Sequence, residues 1–315
     1  MEIALHLYVF LVGAVVGSFL NVVIARVPKG ESIVHPRSRC PRCRSAIAWY
    51  DNVPILSWLV LRGKCRSCNL PISPRYPLVE LLVGVLAVAV ERSYGLSHVS
   101  LGYFVFAAAL VSLAYIDLDT WLLPHQITWP LLALGLVSPL WNRSMGFVSS
   151  AGGAVVGFAL FATIALLGEK VLKRETMGWG DVWLLSGIGA WLGWKALLPV
   201  VMLSSVQGAV VGIAMLASRR DGDEGKTASP ASVGAGPPPA EPADAASLGL
   251  VPPASEAAPM GIHTAPAALT VEDDWVPPPH AVPFGPFLAV AALEFLLLGD
   301  WMIAWWDALL GRLSS

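Results

Sequence analysis

Charge is scarce in this sequence. Only 13% of its 315 residues are Asp, Glu, Lys or Arg, while 56% are hydrophobic. Soluble domains carry about a quarter charged residues, so this composition, with a mean hydropathy of +0.65, excludes a soluble globular enzyme and implies an integral membrane protein. Histidine is sparse: the six are scattered at 6, 35, 98, 125, 263 and 280, and no His-Glu-x-x-His occurs. That argues against zinc-hydrolase chemistry. No small-residue cleavage site follows the first apolar run, so that run is expected to stay as a span and not to be removed as a signal peptide. The net charge of −2 decides nothing, because in such a chain the placement of charge matters more than its sum.

What is present is apolar length. Eight segments, at roughly 3–25, 77–95, 98–116, 127–142, 149–168, 181–197, 198–217 and 285–310, approach the ~20 residues a helix needs to cross a bilayer. Backbone groups in lipid must be bonded internally, so an all-α integral membrane fold of about eight transmembrane helices is expected. The Gly- and Ala-rich fifth segment suits close helix contacts. Lys and Arg set the orientation. Ten of the twenty lie between Arg26 and Arg75, and six more fall in two other loops of the same side; only Arg92, Arg143, Lys195 and Arg312 fall opposite. Sixteen against four places the N-terminus outside and the large first loop in the cytoplasm. Residues 1–26 are then a first helix, 27–76 a cytoplasmic loop region, 77–217 a membrane core, 218–284 an insertion, and 285–315 a last helix with the C-terminus. Lipid is the expected surrounding medium, and no nucleic-acid partner is expected.

Two aspartates stand out in that frame. Asp117 closes the run LGYFVFAAALVSLAYI, and Asp181 closes Gly178-Trp179-Gly180-Asp181 and opens the next run. An ionisable group at the end of a lipid-length segment is costly and marks function by default. Eight alternating spans place both at cytoplasmic helix ends, where two carboxylates at one depth could share a proton and activate a water. The bland alternative is capping, since aspartate is a good N-cap. The two glycines before Asp181 would let backbone approach a substrate closely and bend into the helix start.

All four cysteines lie in the cytoplasmic loop, as CPRC (Cys40, Cys43) and CRSC (Cys65, Cys68), with twenty-one residues between the pairs. Such knuckles fit a tetrahedral four-cysteine zinc site. Disulfides seldom persist in the cytosol, and the neighbouring Arg39, Arg42, Arg44, Lys64 and Arg66 favour thiolates. Four protein ligands leave no open position, so the zinc is expected to be structural.

The stretch Gly17–Pro28, GSFLNVVIARVP, resembles the opening motif of the bacterial type IV prepilin peptidases. The two cysteine knuckles, ISPRYPLVELL (72–82), IDLDTWLLPHQIT (116–128), MGWGDVWLL (177–185) and PFGPFLAVAAL (283–293) resemble further motifs of that family, in the same order. The resemblance implies a multi-pass aspartic peptidase of the bacterial inner membrane with its active site at the cytoplasmic face. It would cut the basic leader of type IV prepilins or type II secretion pseudopilins after a glycine, and methylate the new N-terminus with S-adenosylmethionine. It also selects Asp117 over Asp119, because the family's catalytic aspartate precedes a proline by seven residues and Pro124 fits. His125 departs from the pattern, where an acid usually follows that proline.

Glu80, just inside the second apolar segment, is open between a structural ion pair with Arg75 and a role in methyl transfer or cofactor binding. No glycine-rich loop like that of soluble S-adenosylmethionine enzymes is evident, so methylation rests on the resemblance. Residues 221–283 depart from the family pattern, with 13 of the 25 prolines, nine acids and one lysine. They are expected to be disordered, either as a tolerated linker or as an acidic arm that docks basic partners. Two other readings compete: a proton-coupled transporter would need acids near mid-membrane, and a zinc scaffold leaves Gly-x-Gly-Asp unexplained.

Overall fold

The computed structural model describes residues 2–40, 42–173, 177–223 and 282–313. It divides into a compact unit of Met1–Ala214 with Val282–Ser315 and a second unit of Met215–Ala281. Most of the second unit lies outside the described residues, and with it the expectations for 224–281. Among the described residues there is no β-strand, only isolated bridges in the cysteine loop. Nine α-helices among these residues carry the fold: α1 (Glu2–Arg26), the single-turn α2 (Leu56–Val60), α3 (Arg75–Tyr94), α4 (His98–Thr120), α5 (His125–Val137), α6 (Phe147–Leu172), α7 (Trp179–Leu192), α8 (Trp194–Asp223) and α9 (Gly285–Leu313).

Each of the eight apolar segments falls on a helix, but only five of the described helices, α1, α4, α6, α8 and α9, are long and apolar enough to cross a membrane. Among the described residues, length and composition thus support five spans and do not confirm eight. Helix α3 carries Arg75, Glu80, Glu91 and Arg92 within its 20 residues. Helices α5 and α7 have 13 and 14 residues, so at 1.5 Å per residue α7 is about 21 Å long, short of the ~30 Å hydrocarbon core. The apolar stretch expected to break near 197 breaks at Gly193 instead, whose φ of 81° ends α7. Only glycine takes that conformation freely.

The helix ends follow local chemistry. Ser97 and Ser100 form a reciprocal cap at the start of α4, and Trp121, with a left-handed φ of 57°, ends that helix. Pro124 opens α5. The short α7 is the centre of the core: Leu184, Leu185 and Ile188 are fully buried among Phe106, Leu110 and Leu113 of α4, Leu131 of α5, Phe161 of α6 and Leu288 of α9. A helix that is apolar all round belongs inside such a bundle.

Glycine allows the closest approaches. In α6, a methyl placed on Gly153 would collide with the Gly189 carbonyl of α7, and the reverse also holds. This is the close packing expected of that Gly- and Ala-rich segment. Packing reveals a second small-residue seam: methyls on Gly13 and Gly17 of α1 would lie 2.6 Å from Ala87 Cβ and 2.7 Å from Glu80 Cα of α3. This Gly-x-x-x-Gly spacing keeps two glycines on one face.

Gly153→Val is expected to push α6 off α7 and destabilise the fold by roughly 1–3 kcal/mol. Gly152→Val, whose added Cβ meets nothing within 4 Å, is the matched control. Thermal unfolding in detergent should show a lowered midpoint for the first variant and little change for the second.

Candidate active site

Asp117 lies in the last turn of α4 and Asp181 in the first turn of α7. The packing of α7 and α9 against α4 brings both to the start of α9. There the Gly285 backbone N–H donates to the Asp117 carboxylate. A methyl on Gly285 would collide with Asp117 Oδ2 and come within 3.5 Å of Asp181 Oδ1. The two carboxylates thus face one small space that only a residue without a side chain leaves open. Asp117 is 5% exposed, and Asp181 Oδ1 is shielded from solvent with no hydrogen-bond partner among the described residues.

The capping explanation of Asp181 does not hold. Gly178 is the N-cap of α7, with no side-chain cap bond, and Asp181 sits three residues inside. A buried polar atom left unpaired costs about 1–3 kcal/mol. Gly180 has a packing reason: a Cβ there would lie 2.7 Å from Leu123 Cβ. Gly178, with φ −69° and ψ 138°, is ordinary extended backbone. Neither glycine supplies a left-handed bend.

Asp119, the rival of Asp117, is engaged elsewhere. Its two carboxylate oxygens both accept from Arg75 Nη1 at 2.7 Å. The same guanidinium lies 4.8 Å from the Tyr115 ring centre. Arg75 therefore fastens the start of α3 to the end of α4, close in sequence to Asp117. The Arg75–Glu80 ion pair considered from sequence is not formed. Glu80 is 8% exposed, and its Oε2 accepts from the Ile55 N–H at 2.7 Å. In α9, Glu294 accepts from Gln207 Nε2 of α8 at 2.6 Å.

The four cysteine sulfurs lie within 4.8 Å of one another, with Cys40 Sγ 3.9 Å from Cys68 Sγ. A tetrahedral site with ~2.3 Å zinc–sulfur bonds has sulfurs about 3.8 Å apart, so the donor set fits zinc. The knuckles repeat one backbone pattern. Arg44 N–H donates to the Cys40 carbonyl and Asn69 N–H to the Cys65 carbonyl, both at 2.9 Å. Arg44 and Asn69 both take the left-handed conformation. Arg66 bonds both Asp51 oxygens, at 2.6 and 2.8 Å, and ties the second knuckle to the turn at 49–52.

Residues 11–94 match the family model of the bacterial peptidase A24 N-terminal domain, and residues 104–213 match that of the type IV leader peptidase family. A Myxococcus xanthus protein named prepilin leader peptidase/N-methyltransferase is 45% identical over 311 residues, covering 94% of this chain and 90% of its own length. The chain belongs to the type IV leader peptidase family. Similar proteins of the same name come from Aeromonas hydrophila, 42% identical over 67% of this chain and 81% of theirs, and Neisseria gonorrhoeae, 40% over 64% and 79%. No solved structure matches.

In this leader peptidase family member, then, the two sequence-selected aspartates meet and the four cysteines cluster. Glu80 stands apart from the aspartates, on the side of α3 toward the cysteine loop. Gly285 is the site residue that sequence reasoning missed. PFGPFLAVAAL reads from sequence only as the start of the last helix, and a glycine between two prolines and phenylalanines was the available signal.

Hydrogen bonds from the Ser45 side chain and backbone hold the Cys43 thiol down at about 6, which favours the thiolate form that a zinc ligand needs. Added zinc is expected to bind this cluster at pH 7 and to leave as acidification protonates the thiolates. Ser45→Ala removes the side-chain bond and raises the Cys43 value, so the pH of half-release should move upward. Titration with a zinc-sensitive dye measures it.

Proposed function

We propose that this chain is a multi-pass membrane aspartic endopeptidase that removes the basic leader of type IV prepilins or type II secretion pseudopilins, cutting after a glycine, and that it N-methylates the new N-terminus. The observation that carries the reading is the meeting of Asp117 and Asp181, from two separate helices, at the open face of Gly285. The names of its relatives supply the substrate class and the second activity.

Two carboxylates this close do not both ionise cheaply, so the resting pair holds one proton. The ionised member takes a proton from water as the water attacks the scissile carbonyl. The protonated member hydrogen-bonds the carbonyl oxygen as negative charge grows on it. Collapse of the tetrahedral intermediate breaks the C–N bond, and the pair returns a proton to the leaving amine. The titrations belong to the pair and not to either residue.

The excess of Lys and Arg on the loop side, sixteen of twenty, supports placing this site at the cytoplasmic face of the inner membrane. The cysteine loop of 27–76 carries a structural zinc, 77–217 and the last helix form the peptidase core, and 218–284 is an insertion. The methyl donor is S-adenosylmethionine, which supplies an electrophilic methyl on a sulfonium.

Asp117→Asn and Asp181→Asn are each expected to lower cleavage of a prepilin with a basic leader by at least ~10²-fold in reconstituted membranes. Cleavage at the native rate by both variants would end the aspartic mechanism. Gly285→Ala fills the space between the carboxylates and is expected to lower the rate similarly while both aspartates remain, which a gel-based cleavage assay measures.

A further inference from the structure

Helix α2 of the cysteine loop is held at the depth of the membrane helices. The Ile55 N–H, at the start of α2, donates to Glu80 Oε2 at 2.7 Å. Glu80 follows Arg75, the first residue of α3, by five positions, or about 7.5 Å along the helix. The Ser18 hydroxyl of α1 bonds the same carboxylate. Ser18 precedes the end of that membrane-length helix by eight positions, or about 12 Å. At this level the exposed side chains of both helices are already apolar: Phe19 of α1, and Leu78, Leu81 and Leu82 of α3. Trp58 Nε1 donates to the Ile72 carbonyl at 3.2 Å and closes α2 against the start of α3.

The outward side of α2 is apolar. Leu56, Leu59 and Val60 are exposed, Val60 at 69%, and their i, i+3, i+4 spacing puts them on one helix face. Trp58 instead packs on Gly63. The Ser57 hydroxyl donates to the Tyr50 carbonyl at 3.1 Å, which sets Tyr50 and the 82% exposed Trp49 beside α2. So many large apolar side chains facing water are unfavourable, whereas Trp and Tyr favour the headgroup level of a bilayer. Charge completes the pattern. Residues 27–74 hold eight Lys and Arg against two acids, and one of those acids, Asp51, is taken by Arg66. A zinc ion on four thiolates would offset only two of the six surplus charges. Arg62 and Lys64, just after α2, are exposed and have no carboxylate partner among the described residues.

We propose that α2 and the turn at 49–52 dock on the bilayer that holds α1 and α3, with Trp49, Leu56, Leu59 and Val60 at the boundary of headgroups and acyl chains and with Arg62 and Lys64 on anionic headgroups. An apolar helix face with basic residues at its end binds an anionic leaflet through both terms at once. The depth set by Ser18 and Glu80 favours lipid over a soluble partner for this face. The choice of leaflet rests on the cytoplasmic placement proposed above. The cysteine cluster is then no free cytoplasmic module: its one helix is fastened to lipid on one side and to Glu80 on the other.

The test replaces Leu59, and in a second variant Val60, by photoreactive p-benzoylphenylalanine in the full-length chain in nanodiscs, and reads the adducts by mass spectrometry. Leu167, exposed on the membrane-length α6, is the lipid-facing control. In an equal mixture of phosphatidylcholine and phosphatidylglycerol, both positions are expected to give lipid adducts within about threefold of the control. In phosphatidylcholine alone their yield is expected to fall at least about threefold, and Arg62→Gln with Lys64→Gln is expected to remove that dependence. Adducts to a second copy of the chain only, or none while Leu167 reacts, overturn the docking. Equal yields in the two lipids overturn the anionic headgroup contact. Prepilin cleavage is read on the same samples: a chain that gives the lipid adducts but never cleaves overturns the peptidase reading and leaves the docking in place.

Discussion

The proposed peptidase site depends on one constraint: two acids must be held close together where water is scarce. Each alone would be a costly group at the end of an apolar helix. In the mechanism proposed above one proton serves both, and the Gly285 N–H bonds one of them. Everything around them keeps that geometry. Leu123 packs on Gly180, the Arg75–Asp119 pair braces the end of α4, and the buried apolar centre of α7 fixes the turn that bears Asp181.

The glycines extend this logic through the bundle. Helices in lipid lack a hydrophobic drive toward each other, so contact area and close backbone approach must hold them. The Gly153–Gly189 crossing joins α6 to α7, and the Gly13, Gly17 and Gly84 seam joins α1 to α3. The first crossing secures the helix that carries Asp181. The second secures the helix that carries Arg75 and Glu80.

The helices were largely legible in the sequence because apolar runs in lipid have little choice but to be helical. Asp117, Asp181 and the four cysteines were legible because charge and thiols are conspicuous against such a background. Other features depended on three-dimensional neighbours. The break at Gly193 lies inside continuous apolar sequence, so hydropathy gave no mark of it, although a glycine before Trp194 was there to be weighed. Helices α5 and α7 looked like spans because their apolar runs continue past the helix ends. By sequence Arg75 had Glu80 within reach, and only packing brings its actual partner, Asp119 of another helix, to it. Gly285 carries no side chain to notice, and its importance lies wholly in what surrounds it.

That glycine also sets an order of events during synthesis. Its N–H is the donor to Asp117, yet it lies more than a hundred residues after Asp181 in the chain. A ribosome that has delivered both aspartates has made the reactants of the pair without the backbone that joins them. Chains grow at roughly 5–20 residues per second, so for several seconds at least the acids sit in the membrane without that donor. On the proposed mechanism the pair is complete only once the last helix has arrived, and a nascent chain holds no finished protease.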